Sequence, residues 1–274
     1  MGLRVNTNLA SMNAQRNLSS VSVRLQGNFK RLSSGLRIST AADDAAGLGI
    51  SERMRSQIRS YGAAQRNAQD GISLVQTAEG ALNEVNSILN RMRELSIQAS
   101  NGTLSSADRA TLDTEYQELI NEIGRISSTS TFNGVQLVDG TTTALDIQAG
   151  INSAEVITVS LQDSSATALG LTGLDVTTVA NAAATLAVLD QAVSIVTTAR
   201  GALGSAQNRL QSAISSIANA SENLAAAESR IRDVDVATET ADLTRNSIMQ
   251  QAAVSMLAQA NVQPQLALSL LQGN

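Results

Sequence analysis

Asp43 and Asp44 stand side by side in this 274-residue chain, and paired carboxylates are what acid–base work or a divalent cation would use. Adjacent residues on a helix face different ways, however, and acids just before a helix start interact favourably with its dipole. The pair therefore reads as a helix entrance. Gly47-Leu48-Gly49 looks like the front of a dinucleotide loop but lacks the third glycine and a preceding strand; close helix packing explains it better. Arg91-Met92-Arg93-Glu94 reads as a solvated helix face with Met92 turned inward. The chain has no His, Cys or Trp. Imidazole and thiolate catalysis, zinc fingers, haem or iron–sulfur ligation and disulfides are thereby excluded, and a hydrolase using Ser or Asp would have no His as its base. No catalytic, cofactor-binding or metal-binding residue is assigned, and no cofactor is expected.

Charge is unevenly placed. Arg4, Arg16, Arg24, Lys30, Arg31 and Arg37 fall within residues 1–42, which contain no acid, whereas residues 246–274 carry no ionisable side chain. The overall net charge is −5. Six dilute bases without a recognised motif do not make a nucleic-acid site, and four scattered aromatics make no stacking platform. An Arg-bearing, acid-free start also suits a transit peptide. Asn6, Asn8, Ser11 and Asn13 interrupt any secretory-signal core, and Gln250, Gln251, Gln259 and Gln263 break the uncharged tail well short of a membrane span. No nucleic-acid partner and no membrane insertion are expected.

A chain that is 43% hydrophobic with so few rings must build its core from Leu, Ile, Val and Ala, which favours helix packing. Leu186, Leu189, Val193, Val196, Leu203, Leu210, Ile214, Ile217 and Leu224 keep a heptad rhythm, and Ile72, Val75, Leu82, Val85, Leu89 and Met92 keep another. Each spacing predicts a helix on the order of 70 Å long at ~1.5 Å per residue, the second from about Ala45 to Ser100. Asn101 to Ser106 is a turn in which Ser105 or Ser106 caps a third helix ending near Ser128. From Thr131 to Thr178 the pattern turns to β: Asn133-Gly134 favours a tight turn, while Ile147, Val156, Ile157 and Val159 supply β-branched alternation. Val5, Leu9, Met12, Val21, Leu25 and Leu32 mark an amphipathic helix from about Asn6 to Leu32. Met249, Met256 and Leu257, followed by Leu268 and Leu271, mark another near the C-terminus. The expected fold is mainly α: a long-helix coiled-coil rod with a small β-hairpin segment inserted between the N- and C-terminal helices. Its segments are 1–44, 45–178, 179–229 and 230–274.

Several long stretches now combine in order: Leu3 to Asn8, Arg31 to Ile38, Asp43 to Ser51, Arg91 to Gln98, Phe132-Asn133-Gly134, Ser229 to Asp235, Leu257 to Asn261 and Leu268 to Leu271. Together they resemble the bacterial flagellins over roughly residues 1–140 and 180–274. The resemblance implies a structural subunit that self-assembles into the flagellar filament for swimming motility. In such a filament the terminal helices form an inner tube, here through Val5, Leu9, Met12, Val21, Leu25, Leu32, Met249, Met256, Leu257, Leu268 and Leu271. It further implies export of the unfolded chain by the flagellar type III apparatus and an extracellular location in the flagellum. The implied partners are further copies of the chain (a homopolymer), an export chaperone, and hook-associated and cap proteins. The transit-peptide reading falls, because it leaves the matching C-terminal helix unexplained. Family positions that contact a vertebrate innate immune receptor match Arg91, Leu95 and Glu115. Many flagellins carry large outer domains where this chain has only Thr131 to Thr178, which implies a short, two-layered subunit. The alternative within the family is the hook–filament junction protein.

Overall fold

The computed structural model describes residues 7–272, with side chains for residues 7–262. In chain order the elements are α1 (Leu9–Ser34), α2 (Ala45–Ala99), α3 (Ser106–Thr129), β1 (Thr131–Phe132), β2 (Val135–Gln136), β3 (Ala144–Gln148), β4 (Val156–Ser160), α4 (Val179–Arg232) and α5 (Val236–Gln272). The class is mainly α with the β segment between N- and C-terminal helices. Packing divides the chain into two compact units, Met1–Ser56 with Asn223–Asn274, and Gln57–Glu222. Both boundaries fall inside α2 and α4, so they follow contacts rather than the chain-order segments read from the sequence.

In the unit Gln57–Glu222 the heptad seams meet. Leu82, Val85, Leu89 and Met92 of α2 are buried with Tyr116, Ile120 and Ile123 of α3 and with Leu189, Val196, Leu203 and Leu210 of α4. By length and composition α4 is apolar enough to cross a membrane; its seam is instead part of this core. Ion pairs of Arg93 with Asp190 at 2.8 Å and of Arg200 with Glu79 at 3.7 Å show α4 running antiparallel to α2. The turn before α3 is closed by Ser105: its hydroxyl accepts from the Asp108 amide at 3.2 Å and the Asp108 carboxylate accepts from the Ser105 amide at 3.0 Å. That reciprocal cap holds the Asp108 carboxyl below its usual range, the Ser105 hydroxyl being the larger cause. Arg109 reaches back from α3 to the carbonyls of Ala99 at 3.0 Å and Asn101 at 3.2 Å, covering acceptors that the end of α2 leaves open.

The β segment docks on the same core. Asn133 and Gly134 both take positive φ, 48° and 79°, the geometry that lets a two-residue turn follow strand twist. β3 and β4 pair antiparallel from Ala144 opposite Ser160 to Gln148 opposite Val156. Val159 is buried, and Leu145, Ile147 and Ile157 pack beside it. Gly71 of α2 makes room for this hairpin, because a Cβ there would lie 3.2 Å from Ile147.

In the other unit α1 and α5 run antiparallel. Asn8 donates to the Ala260 carbonyl at 2.8 Å near one end, and Asn28 donates to Glu239 at 2.5 Å near the other. α1 starts at Leu9 because Asn8 caps it by accepting from the Ser11 amide, and it ends at Gly35, whose φ of 70° is the left-handed stop. The two polar connectors pair with each other: Val234 donates to the Gly35 carbonyl at 3.0 Å, Arg37 to the Arg232 carbonyl at 2.7 Å, and Leu36 bridges Asp233.

Candidate assembly surface

Asp43 and Asp44 form no catalytic couple. Asp44 accepts from the Gly47 amide at 2.9 Å and so caps α2. Asp43 turns back and accepts from the amides and hydroxyls of Thr40 and Ser39. Those donors, Thr40 first, lower its carboxyl to about 2. Gly47 is tight against its own cap and the connector rather than another helix, since a Cβ there would meet Asp44 and Ile38 Cδ1, and a Cβ at Gly49 would meet nothing within 4 Å. Among the described residues no group of three or more Asp or Glu side chains is placed to hold a metal ion.

The apolar residues of α1 and α5 divide into two sets. Val21 is buried at 2% exposure, and Leu25, Leu32 and Leu257 are half-buried where the two helices meet. Leu9, Met12, Met249 and Met256 are exposed, at 61%, 56%, 43% and 68%. Helical spacing puts Leu9, Met12 and Val23 on the side of α1 away from Val21, Leu25 and Leu32. α1 therefore has an apolar face against α5 and a second one without a partner in the described chain. An apolar groove of about 620 Å3 runs between the helices, lined by Ala14, Asn17, Val21, Met249, Ala253 and Met256 among others. Val23, Ile248, Val254 and Val262 are exposed as well. Of these, Val23, Val254 and Val262 escaped the periodicity reading, which followed the packed stripe alone. Val5 lies outside the described residues, as do the side chains of Leu268 and Leu271.

In the unit Gln57–Glu222, Arg91 pairs with Glu115 at 2.8 Å and with Glu94 at 3.1 Å, all three exposed. Glu115, then Glu94, raise the Arg91 pKa. Leu95 differs: at 1% exposure it faces the core rather than the surface. Its spacing from Met92 puts it on the inward stripe of α2, so only Arg91 and Glu115 of that trio are open to a partner.

A model of the bacterial flagellin N-terminal helical region matches residues 5–143, and one of the flagellin C-terminal helical region matches residues 186–271. The chain belongs to the bacterial flagellin family. It is similar to the flagellin of Halalkalibacterium halodurans, 51% identical over 270 residues that cover 98% of this chain and 99% of that protein. The flagellar filament 30.7 kDa core protein of Treponema maltophilum is 43% identical, covering 97% of this chain and 99% of that one. Among solved structures, the crystal structure of Bacillus cereus flagellin matches with a TM-score of 0.51 at 34% identity, covering 56% of this chain and 88% of that chain. Flagellins are structural subunits of the bacterial flagellum, not enzymes. End-to-end matches to proteins named flagellin do not favour the junction-protein alternative.

Proposed function

We propose that the chain polymerises with copies of itself into the flagellar filament, outside the cell, and serves swimming motility. In this reading segments 1–44 and 230–274 build the inner layer of the filament, and 45–178 with 179–229 the layer around it. The observation that supports it is the apolar surface left uncovered, Leu9 and Met12 on the second face of α1 and Met249 and Met256 beside the groove on α5, on helices that carry no acid in residues 9–34 and no charge in residues 246–262. Exposed apolar area is stabilised by ~25 cal/mol per Å2 when a neighbour covers it, and the uncharged stretch of α5 lets copies crowd against it without burying unpaired charge there. Val5, Leu268 and Leu271 belong to the same inner-layer set. Export through the flagellar type III apparatus, an export chaperone, and contacts with hook-associated and cap proteins complete the proposal. Recognition by a vertebrate innate immune receptor would use Arg91 of α2 and Glu115 of α3, with Leu95 holding α2 in place from the core side.

The test is seeded polymerisation of the Leu9→Glu/Met256→Glu variant followed by electron microscopy. Growth should stop, while circular dichroism shows the helices of residues 57–222 intact. Filaments of normal length and yield would defeat the proposal.

A further inference from the structure

Sulfur occurs in this chain only as thioether, in six Met and no Cys. Among the described residues, Met92 is enclosed in the core of the unit Gln57–Glu222 at 0% exposure, and Met54 of α2 is half-buried. Met12, Met249 and Met256 stand open on the terminal helices, at 56%, 43% and 68%. Met249 and Met256 line the groove beside α1, and Met12 shares its side of that helix with Leu9. Their exposure does not depend on α1 meeting α5, because separating the helices only opens these side chains further. The sulfurs are thus divided between a sealed core and the apolar surface left for neighbours.

We infer that Met12, Met249 and Met256 are modification sites: hydrogen peroxide converts them to sulfoxides in the free chain, and the oxidised chain no longer joins a filament. Each thioether sulfur takes one oxygen atom from a peroxide molecule. The S–O bond forms, the O–O bond breaks and water leaves, so the sulfur loses two electrons and the peroxide gains them. A flexible apolar side chain thereby becomes a polar one that carries a strong hydrogen-bond acceptor. Burying that oxygen against a neighbour without a donor is unfavourable, and residues 246–262 contain no Lys or Arg to supply one. Met92 is shielded by its core, so oxidation spoils the assembly surface and spares the fold of residues 57–222. Once a neighbour covers the three open sulfurs, peroxide no longer reaches them. Oxidant therefore acts on the chain before it is added and not on the filament after. This inference rests on the polymerisation reading above.

The test treats the full-length chain with hydrogen peroxide, quenches it, maps sulfoxide by peptide mass spectrometry and adds the product to filament seeds. Untreated chain should elongate the seeds; if it does not, the polymerisation reading fails and this inference falls with it. Treated chain should carry sulfoxide at Met12, Met249 and Met256, with Met92 about tenfold less oxidised, and should elongate seeds about tenfold more slowly. Its core should unfold at the temperature of the untreated chain. Methionine sulfoxide reductases of both stereochemical classes, with dithiothreitol, should restore growth. Met12→Leu/Met249→Leu/Met256→Leu keeps the apolar volume and leaves Met1, Met54 and Met92 in place; its growth should be the same before and after peroxide. If that variant grows slowly untreated, the reductase arm decides. Assembled filaments given the same peroxide should show about tenfold less sulfoxide at the three positions than free chain. The inference alone is overturned if chain bearing the three sulfoxides grows at the untreated rate, if reductase treatment leaves growth blocked, if peroxide stops the triple variant as fully as the natural chain, or if filaments oxidise as readily as free chain.

Discussion

Asp43 gathers four donors from only two residues, and its carboxyl is held at about 2 against an ordinary 3.8. Since the folded value lies below the unfolded one, the unfolded chain binds more protons between them. The stabilisation is therefore complete above the unfolded value and is lost as pH falls from about 4 towards 2. Asp43→Asn should flatten that part of the acid limb, measured as the pH dependence of thermal unfolding by circular dichroism; an unchanged limb would show that the connector contributes nothing. Tyr116 presents the opposite case. Its ring is fully buried, its hydroxyl lacks a partner in good geometry although Ser96 and Thr185 lie near, and burial pushes its pKa to about 12. Tyr116→Phe keeps the ring and drops the poorly satisfied group, so stability should change by less than about 1 kcal/mol. Tyr116→Ala should cost ~3–5 kcal/mol, as other buried rings do. Urea unfolding of the two variants separates volume from hydrogen bonding.

At the scale of elements, what could be read in advance depended on periodicity and turn chemistry. The seams of α2 and α4 were legible because Leu82, Val85, Leu89, Leu203 and Leu210 repeat at helical spacing, and the β1–β2 turn because only residues such as Asn133-Gly134 accept positive φ at both positions. Two things were not legible. α1 is apolar on two sides, and a pattern identifies apolar stripes without saying which one the chain itself covers. The burial of Asn28 and Glu239 has no signal in the sequence, because a buried polar side chain is recognisable only from the partner that satisfies it, here over two hundred positions away. Leu95 likewise came with the resemblance as a surface contact, whereas its spacing on α2 turns it inward. Gly71 is a further position whose role appears only in three dimensions. Its Cβ position is 3.2 Å from Ile147 and 3.4 Å from Leu210, so Gly71→Val should push the β3–β4 hairpin from α2 and cost ~1–3 kcal/mol. Amide exchange should then rise in residues 144–160 ahead of α2 and α4; uniform protection would show that the hairpin relaxes around the larger side chain.

For the whole molecule, the uneven charge distribution acquires a physical meaning. The 24 acids all lie within residues 43–245, while residues 246–274 have none and no base either. A segment without charge gains little from water and loses little when surrounded by copies of itself. The unit Gln57–Glu222 has its own continuous core, built without residues of that segment. Removing residues 246–274 should therefore leave a soluble chain whose core unfolds cooperatively near the temperature of the full-length protein. It should lose seeded filament growth altogether, because α1 is deprived both of Ala253 and Ala260 on its packed side and of Met249 and Met256 beside its groove. Calorimetry and electron microscopy on the same preparation keep the two effects apart. A lowered core transition would mean that the C-terminal helix supports the fold itself, whereas filaments from the trimmed chain would mean that assembly draws on other surfaces. Loss of growth with an unshifted transition is the outcome expected if the chain confines its folding to one set of apolar residues and reserves another for its neighbours.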